Sequence, residues 1–233
     1  MLGHRGARHA APENTLAAFE LARTEGADGI ELDVRLDASG EVIVLHDSTL
    51  ARVTHGAETR HAEDIASRDL ARLDVGAGER VPRLAEVLDW ALEHGQRVNV
   101  ELKSDVRARA LLLRQVARVV SGRDLPNLIF SSFHPYFVWW LGQRLPHLPR
   151  AWLVHRKQLI LKYAPGLRSL GADALNPEHE LATPERVARL KAQGLLVNVW
   201  TVNEPARALE LAQSGVDAII SDAPGKILAE LER

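Results

Sequence analysis

Short apolar, β-branched runs alternate along the chain with longer stretches whose apolar residues recur every three or four positions. The short runs predict strands at 2–4, 29–34, 97–102, 128–131, 151–154, 174–176, 196–201 and 218–221. The longer stretches predict helices at 14–25, 84–93, 106–120, 135–144, 156–163, 184–192, 204–213 and 224–231. In 84–93, for example, Leu84, Val87, Leu88 and Ala91 fall on one face. Pro184, Pro205 and Pro224 stand at first helical positions, and Gly26, Gly95, Gly194 and Gly215 just past helix ends. Eight strand–helix repeats predict an α/β fold, a closed (β/α)8 TIM barrel. An open doubly wound sheet is the structural alternative. It is disfavoured because no glycine-rich dinucleotide loop follows the first strand.

One segment breaks the rhythm. Residues 35–81 are more than a βα loop needs. A turn signal at Asp37, Ala38, Ser39 and Gly40 is followed by the apolar run 42–45, which predicts a β-hairpin. The remainder through Val81 reads as polar and irregular. This stretch is an insertion between strand 2 and helix 2, and 1–233 is expected to form one domain. The aromatic run at 136–141 is expected to pack helix against barrel.

Composition narrows the function classes. With 29 Lys and Arg against 31 Asp and Glu, the net charge of −2 draws neither nucleic acid nor an anionic membrane. The absence of cysteine excludes disulfides, thiolate metal sites and a cysteine nucleophile. No stretch approaches the ~20 apolar residues of a membrane span. The polar residues that follow Leu2 at once leave no signal-like segment, so the expectation is a cytoplasmic enzyme, monomer or homodimer.

Strand alternation places the chemistry. In Glu31-Leu32-Asp33 the two carboxylates share a face, and Glu101-Leu102-Lys103 repeats the pattern with an acid and a base. Both triplets end strands, at the barrel rim where active sites of this fold lie. Two like charges ~4 Å apart repel by about 4 kcal/mol at an effective dielectric of about 20. Glu31, Asp33 and Glu101 therefore call for a compensating charge. An all-oxygen set suits a hard divalent cation, Mg²⁺ or Ca²⁺ with Mn²⁺ as a third option. His4 ends the first strand and His46 the hairpin, and both point to the same mouth as a proton-transfer pair. Arg5 and Lys103 offer positive charge for a phosphate. Together these residues suggest metal-assisted phosphoryl transfer.

The same residues carry a family resemblance. His4-Arg5-Gly6, Pro12-Glu13-Asn14-Thr15, Glu31-Leu32-Asp33-Val34, His46-Asp47, Glu101-Leu102-Lys103 and Trp200-Thr201-Val202-Asn203 follow one another in the order seen in glycerophosphodiester phosphodiesterases, which this chain resembles from residue 4 to Asp222. The resemblance implies a TIM barrel that uses a divalent cation to hydrolyse small-molecule glycerophosphodiesters to glycerol 3-phosphate and an alcohol. It implies that Glu31, Asp33 and Glu101 are metal ligands, His4 and His46 the catalytic pair, and Arg5 and Lys103 phosphate contacts. Trp200 matches an aromatic wall of the substrate pocket. Asn14 or Thr15 as a helix cap accounts for much of the Pro12–Thr15 motif. Two rivals share the barrel: a lipid phosphodiesterase acting on lysophospholipids or phosphoinositides, and a barrel that binds a phosphometabolite without turning it over.

Overall fold

The structure, a computed structural model, describes residues 1–157 and 171–231. Strands β1 (Leu2–His4), β2 (Gly29–Leu36), β4 (Arg97–Leu102), β5 (Leu128–Ser132), β6 (Arg150–Val154), β7 (Ala174–Pro177), β8 (Leu196–Val199) and β9 (Ala218–Ser221) are parallel neighbours. Pairing of β1 with both β2 and β9 closes the barrel, which excludes an open sheet. The helices α1 (Leu16–Thr24), α3 (Leu84–Glu93), α4 (Arg109–Val120), α5 (Pro135–Arg144), α6 (Pro184–Ala192), α7 (Pro205–Gln213) and α8 (Pro224–Leu231) surround it. The helix expected at 156–163 falls, from residue 158 on, outside the described residues. No helix among the described residues is long and apolar enough to cross a membrane.

The pleat turns successive side chains of each strand to opposite faces, one toward the helices and the other toward the barrel interior. Every residue of β2 is buried. Ile30, Leu32, Val34 and Leu36 join the apolar layer against the helices, and so do Val98, Val100 and Leu102 of β4. The intervening Glu31, Asp33, Arg35, Asn99 and Glu101 are thereby turned to the barrel interior. Helix starts are set locally. Thr15 caps α1 by accepting from the Ala18 N–H, Thr183 caps α6 through Arg186, and Pro184 and Pro205 open their helices. Expected boundaries move little: α4 starts three residues later than 106, and β8 ends at Val199 instead of 201.

Strand β3 (Val42–Val44) runs antiparallel to Val34–Leu36 of β2, completing the hairpin. Its turn is tied by Asp37, whose carboxylate accepts from the Ser39 and Glu41 N–H groups. The remainder of the insertion is more ordered than expected. It contains a 3₁₀ turn, Ala62–Asp64, and the short helix α2 (Ser67–Leu70). Ile43, Leu45, Leu50, Ile65, Leu70, Val75 and Val81 form an apolar cluster of their own there. These side chains are spaced too irregularly to reveal an element by period. In α5, Phe137, Val138 and Leu141 pack inward as expected, while Tyr136 and Trp139 face outward.

The loop after β1 is held tightly against α1. Gly6 sits at φ +83°, and a Cβ there would lie 2.5 Å from the Ala18 backbone carbon. Gly6→Ala should therefore destabilise the fold by about 2 kcal/mol or more, read as a lower urea midpoint. An unchanged midpoint would show that the loop can lift away from α1 without cost.

Candidate active site

Strand register builds the site. His4 aligns with Glu31 across β1 and β2, and Asp33 aligns with Glu101 across β2 and β4. Because all of these side chains point inward at the C-terminal rim, carboxylate oxygens of Glu31, Asp33 and Glu101 come within 4.8 Å of one another. All three residues are buried. Lys103 bridges two of them, with Nζ 3.3 Å from Asp33 Oδ1 and 2.8 Å from Glu101 Oε1. Arg5 closes the other side. Its backbone N–H donates to Glu31 Oε2 at 3.2 Å, and its Nε stands 3.2 Å from Asp33 Oδ2.

The electrostatics follow from burial and crowding. Burial, reinforced by Asp33 and Glu101, pushes the Glu31 carboxyl well above its usual range. Glu101 is raised by burial as well, partly offset by Lys103. Burial acts the same way on Asp33, but Lys103 and Arg5 overcome it and hold that carboxyl below the usual range. Two cations thus leave the three acids incompletely neutralised. An inward set of three oxygen donors with residual negative charge fits a hard divalent cation.

The imidazoles flank this cluster. His4 Nδ1 lies 2.6 Å from Asp222 Oδ1, and its Nε2 faces Glu31 Oε2 at 4.0 Å. His46 Nδ1 lies 2.7 Å from Asp47 Oδ1. Each ring is oriented by a carboxylate on Nδ1, which places the proton of the neutral ring there and leaves the lone pair on Nε2. Burial lowers both histidines below their ordinary value of 6.5, although Asp222 opposes this at His4 and Asp33 at His46. The supports are themselves supported. Asp222 accepts from Asn203 Nδ2, while Arg52 donates to Asp47 and, through two nitrogens at 2.8 Å, to Glu13. Glu13 in turn accepts from Arg5.

His4, Arg5, Glu31, His46, Glu101, Lys103 and Trp200 line one cavity of about 250 Å³, whose apolar side is Phe133, Leu153, Trp200 and Ile220. The Trp200 ring meets Phe133 edge-on at 5.6 Å, and its Nε1 donates to the Asn176 carbonyl. All eight residues singled out from the sequence therefore meet at one mouth; Asp33 lies just beneath, 1% exposed. Arg5 and Lys103 are engaged with the acids as well as facing the cavity. Asn14 does not cap a helix: at φ +58° it donates from Nδ2 to Asp33 Oδ2, while Thr15 alone caps α1. Asp222, Arg52, Phe133 and His155 belong to the site or its supports, and no sequence pattern singles them out; Asp47 stands in the His46-Asp47 motif, where the sequence assigns it no role.

A closed barrel with an acidic rim cluster and two carboxylate-backed imidazoles defines a hydrolase-type site for a phosphorylated substrate. The chain belongs to the glycerophosphoryl diester phosphodiesterase family, which it matches over residues 4–226. It is 32% identical over 236 residues to a glycerophosphodiester phosphodiesterase of Caldanaerobacter subterraneus subsp. tengcongensis, covering 98% of this chain and 96% of that one. It is similar to a phosphodiesterase of Oleispira antarctica solved in complex with the product sn-glycerol-3-phosphate. That match has a TM-score of 0.88 at 28% identity and covers 100% and 96% of the two chains. A putative glycerophosphoryl diester phosphodiesterase of Silicibacter pomeroyi superposes with a TM-score of 0.91 at 28% identity, covering 99% of this chain and 92% of the other.

Proposed function

We propose that this protein hydrolyses glycerophosphodiesters to sn-glycerol 3-phosphate and an alcohol, with residues 1–233 acting as one catalytic unit. The observation that carries the reading is the convergence of the acidic cluster and both carboxylate-backed histidines on a single cavity. The product bound to the Oleispira relative supports the choice of substrate. Glu31, Asp33 and Glu101 would hold a divalent cation, Mg²⁺ or Ca²⁺, which when bound supplies positive charge to the phosphodiester oxygens. Arg5 and Lys103 face the same oxygens and neutralise charge that grows there. His4, the more buried imidazole, takes a proton on Nε2 from the attacking hydroxyl, a water or the neighbouring glycerol hydroxyl. His46 stands closer to solvent and gives a proton to the alkoxide as its bond to phosphorus breaks. The apolar side formed by Trp200 and Phe133 packs against the carbon chain of the glycerol arm.

The test is direct. Glycerol 3-phosphate released from glycerophosphocholine, glycerophosphoethanolamine and glycerophosphoglycerol in the presence of Mg²⁺ or Ca²⁺ is coupled to a dehydrogenase. Steady release is expected. Tight binding of these diesters without product would favour the non-catalytic barrel, and release only from lysophospholipids the lipid reading.

A further inference from the structure

A second, wider cavity of about 530 Å³ adjoins the first and shares His46, Glu101, Lys103 and Phe133 with it. A phosphodiester has two arms diverging from one phosphorus. A phosphate held at the shared residues sends one arm into each cavity. The glycerol arm is the same in every substrate of the reaction proposed above, on which this inference rests. A small cavity with an apolar side suits that constant arm, so the wide cavity receives the alcohol that varies.

Its lining states what that alcohol should be. The wide cavity is edged by Asp47, Ser48 and Thr49 after His46, and by Ser104 and Asp105 after Lys103. Among the described residues, the hydroxyls of Ser48, Thr49 and Ser104 have no hydrogen-bond partner, which leaves them available to a ligand. The charges are layered. The Asp105 and Asp47 side chains are 61% and 31% exposed, whereas the cations of the same wall, Arg35 and Lys103, are 4% and 12% exposed. Arg35 lies beneath the wall, donating from Nε to the His46 carbonyl and from one Nη to both Asp105 oxygens, at 2.9 and 2.8 Å. It fixes the Asp105 carboxylate from the inner wall of the cavity, where little of its guanidinium is exposed. A ligand entering here meets carboxylate edges and free hydroxyls, with the guanidinium and ammonium groups behind them.

The geometry points to a leaving-group site for an alcohol bearing a primary ammonium, of the ethanolamine type, with Asp105, Ser104 and Thr49 as specificity-determining residues. A primary ammonium brings positive charge and three N–H donors, which match carboxylates and hydroxyls. A trimethylammonium group has no donor and is held by aromatic faces. Phe133 is the one aromatic residue of this wall among the described residues. A neutral polyol can donate to the same oxygens but adds no charge to them. An ammonium adds positive charge at the exposed side of Asp105, which Arg35 neutralises only from the inner side; Asp47 is already paired with Arg52 and contributes less.

The test compares kcat/KM for glycerophosphoethanolamine, glycerophosphoglycerol and glycerophosphocholine on the metal-loaded enzyme. The ethanolamine diester is expected to lead the choline diester by about 10-fold, since a site built for hydrogen bonds penalises a ligand that cannot make them. Asp105→Asn should bring that ratio towards one. Because Asp105 also anchors Arg35, a Thr49→Val, Ser104→Ala double variant provides a second reading, with the ratio again falling. A choline or glycerol diester that equals or outruns the ethanolamine diester overturns the assignment. So does a ratio that stays unchanged in both variants. Hydrolysis of all three without preference sinks this inference alone, whereas hydrolysis of none sinks the proposed function with it.

Discussion

Alanine at His46 or at His4 should each lower kcat by about 10²–10⁴, the usual worth of a positioned proton-transfer group. The two losses are expected to differ in kind. Without His46 the alkoxide must depart unprotonated, so a nitrophenyl ester of glycerol 3-phosphate, whose leaving phenolate needs no proton, should recover much of the lost rate. Without His4 the attacking hydroxyl keeps its proton, and the activated ester should recover little. Rescue of the His4 variant instead would exchange the two roles, and normal turnover in either variant would remove that residue from the chemistry. Thermal unfolding of each variant controls for the fold. Burial holds both imidazoles below 6.5, so both limbs of the kcat/KM profile should lie below that pH, the acidic limb set by His4, which must be unprotonated to accept, and the alkaline limb by His46, which must be protonated to donate. The same shift has a stability counterpart. The unfolded chain takes up these protons more readily than the folded one, so the contribution is complete above 6.5 and is lost as pH falls below it.

Stripping the divalent cation with a chelator should cost roughly 10³-fold in rate, the equivalent of about 4 kcal/mol, and added Mg²⁺ or Ca²⁺ should restore it. Glu31→Gln should lose activity to a similar extent, and metal should not restore it. Chelator-insensitive turnover would dismiss the cation. Stability gives an independent check through the raised Glu31 carboxyl. A raised acid binds its proton more tightly folded than unfolded. Its stabilising effect is complete below the ordinary 4.5 and is lost as pH climbs through the raised value. Above 4.5 that carboxyl therefore costs the metal-free protein stability that a neutral amide would not, and metal-free Glu31→Gln should melt higher than the metal-free parent at pH 8. Cation binding reverses the order by stabilising only the parent. A variant that melts lower than the metal-free parent would mean that Glu31 is well compensated without metal.

Much of this site was legible because its logic is local. Glu31, Asp33, Glu101 and Lys103 are turned inward by a period of two that two or three residues suffice to show, and the strand-end position fixes the rim. His4 and His46 follow from where their strands stop. The supports obey no such rule. Asp222 reaches His4 across 218 positions of sequence, and Arg52 reaches Glu13 across 39. Only the closed barrel and the folded insertion bring them together. Asn14 shows the other limit: its residue type suits a cap, and only its left-handed backbone turns the amide onto Asp33 instead. The insertion looks irregular in sequence because its apolar side chains gather from separated turns rather than along one element.

That small nucleus has an evolutionary consequence. His46 follows Leu45, which packs in the insertion's own cluster, whereas the acidic residues are borne by strands rooted in the barrel's apolar layer. The two halves of the machinery thus rest on separate foundations. In the proposed reaction, changes that reshape the smaller one would tune which alcohol is released while the strands bearing the acids keep their footing, so substrate range could drift without endangering the scaffold.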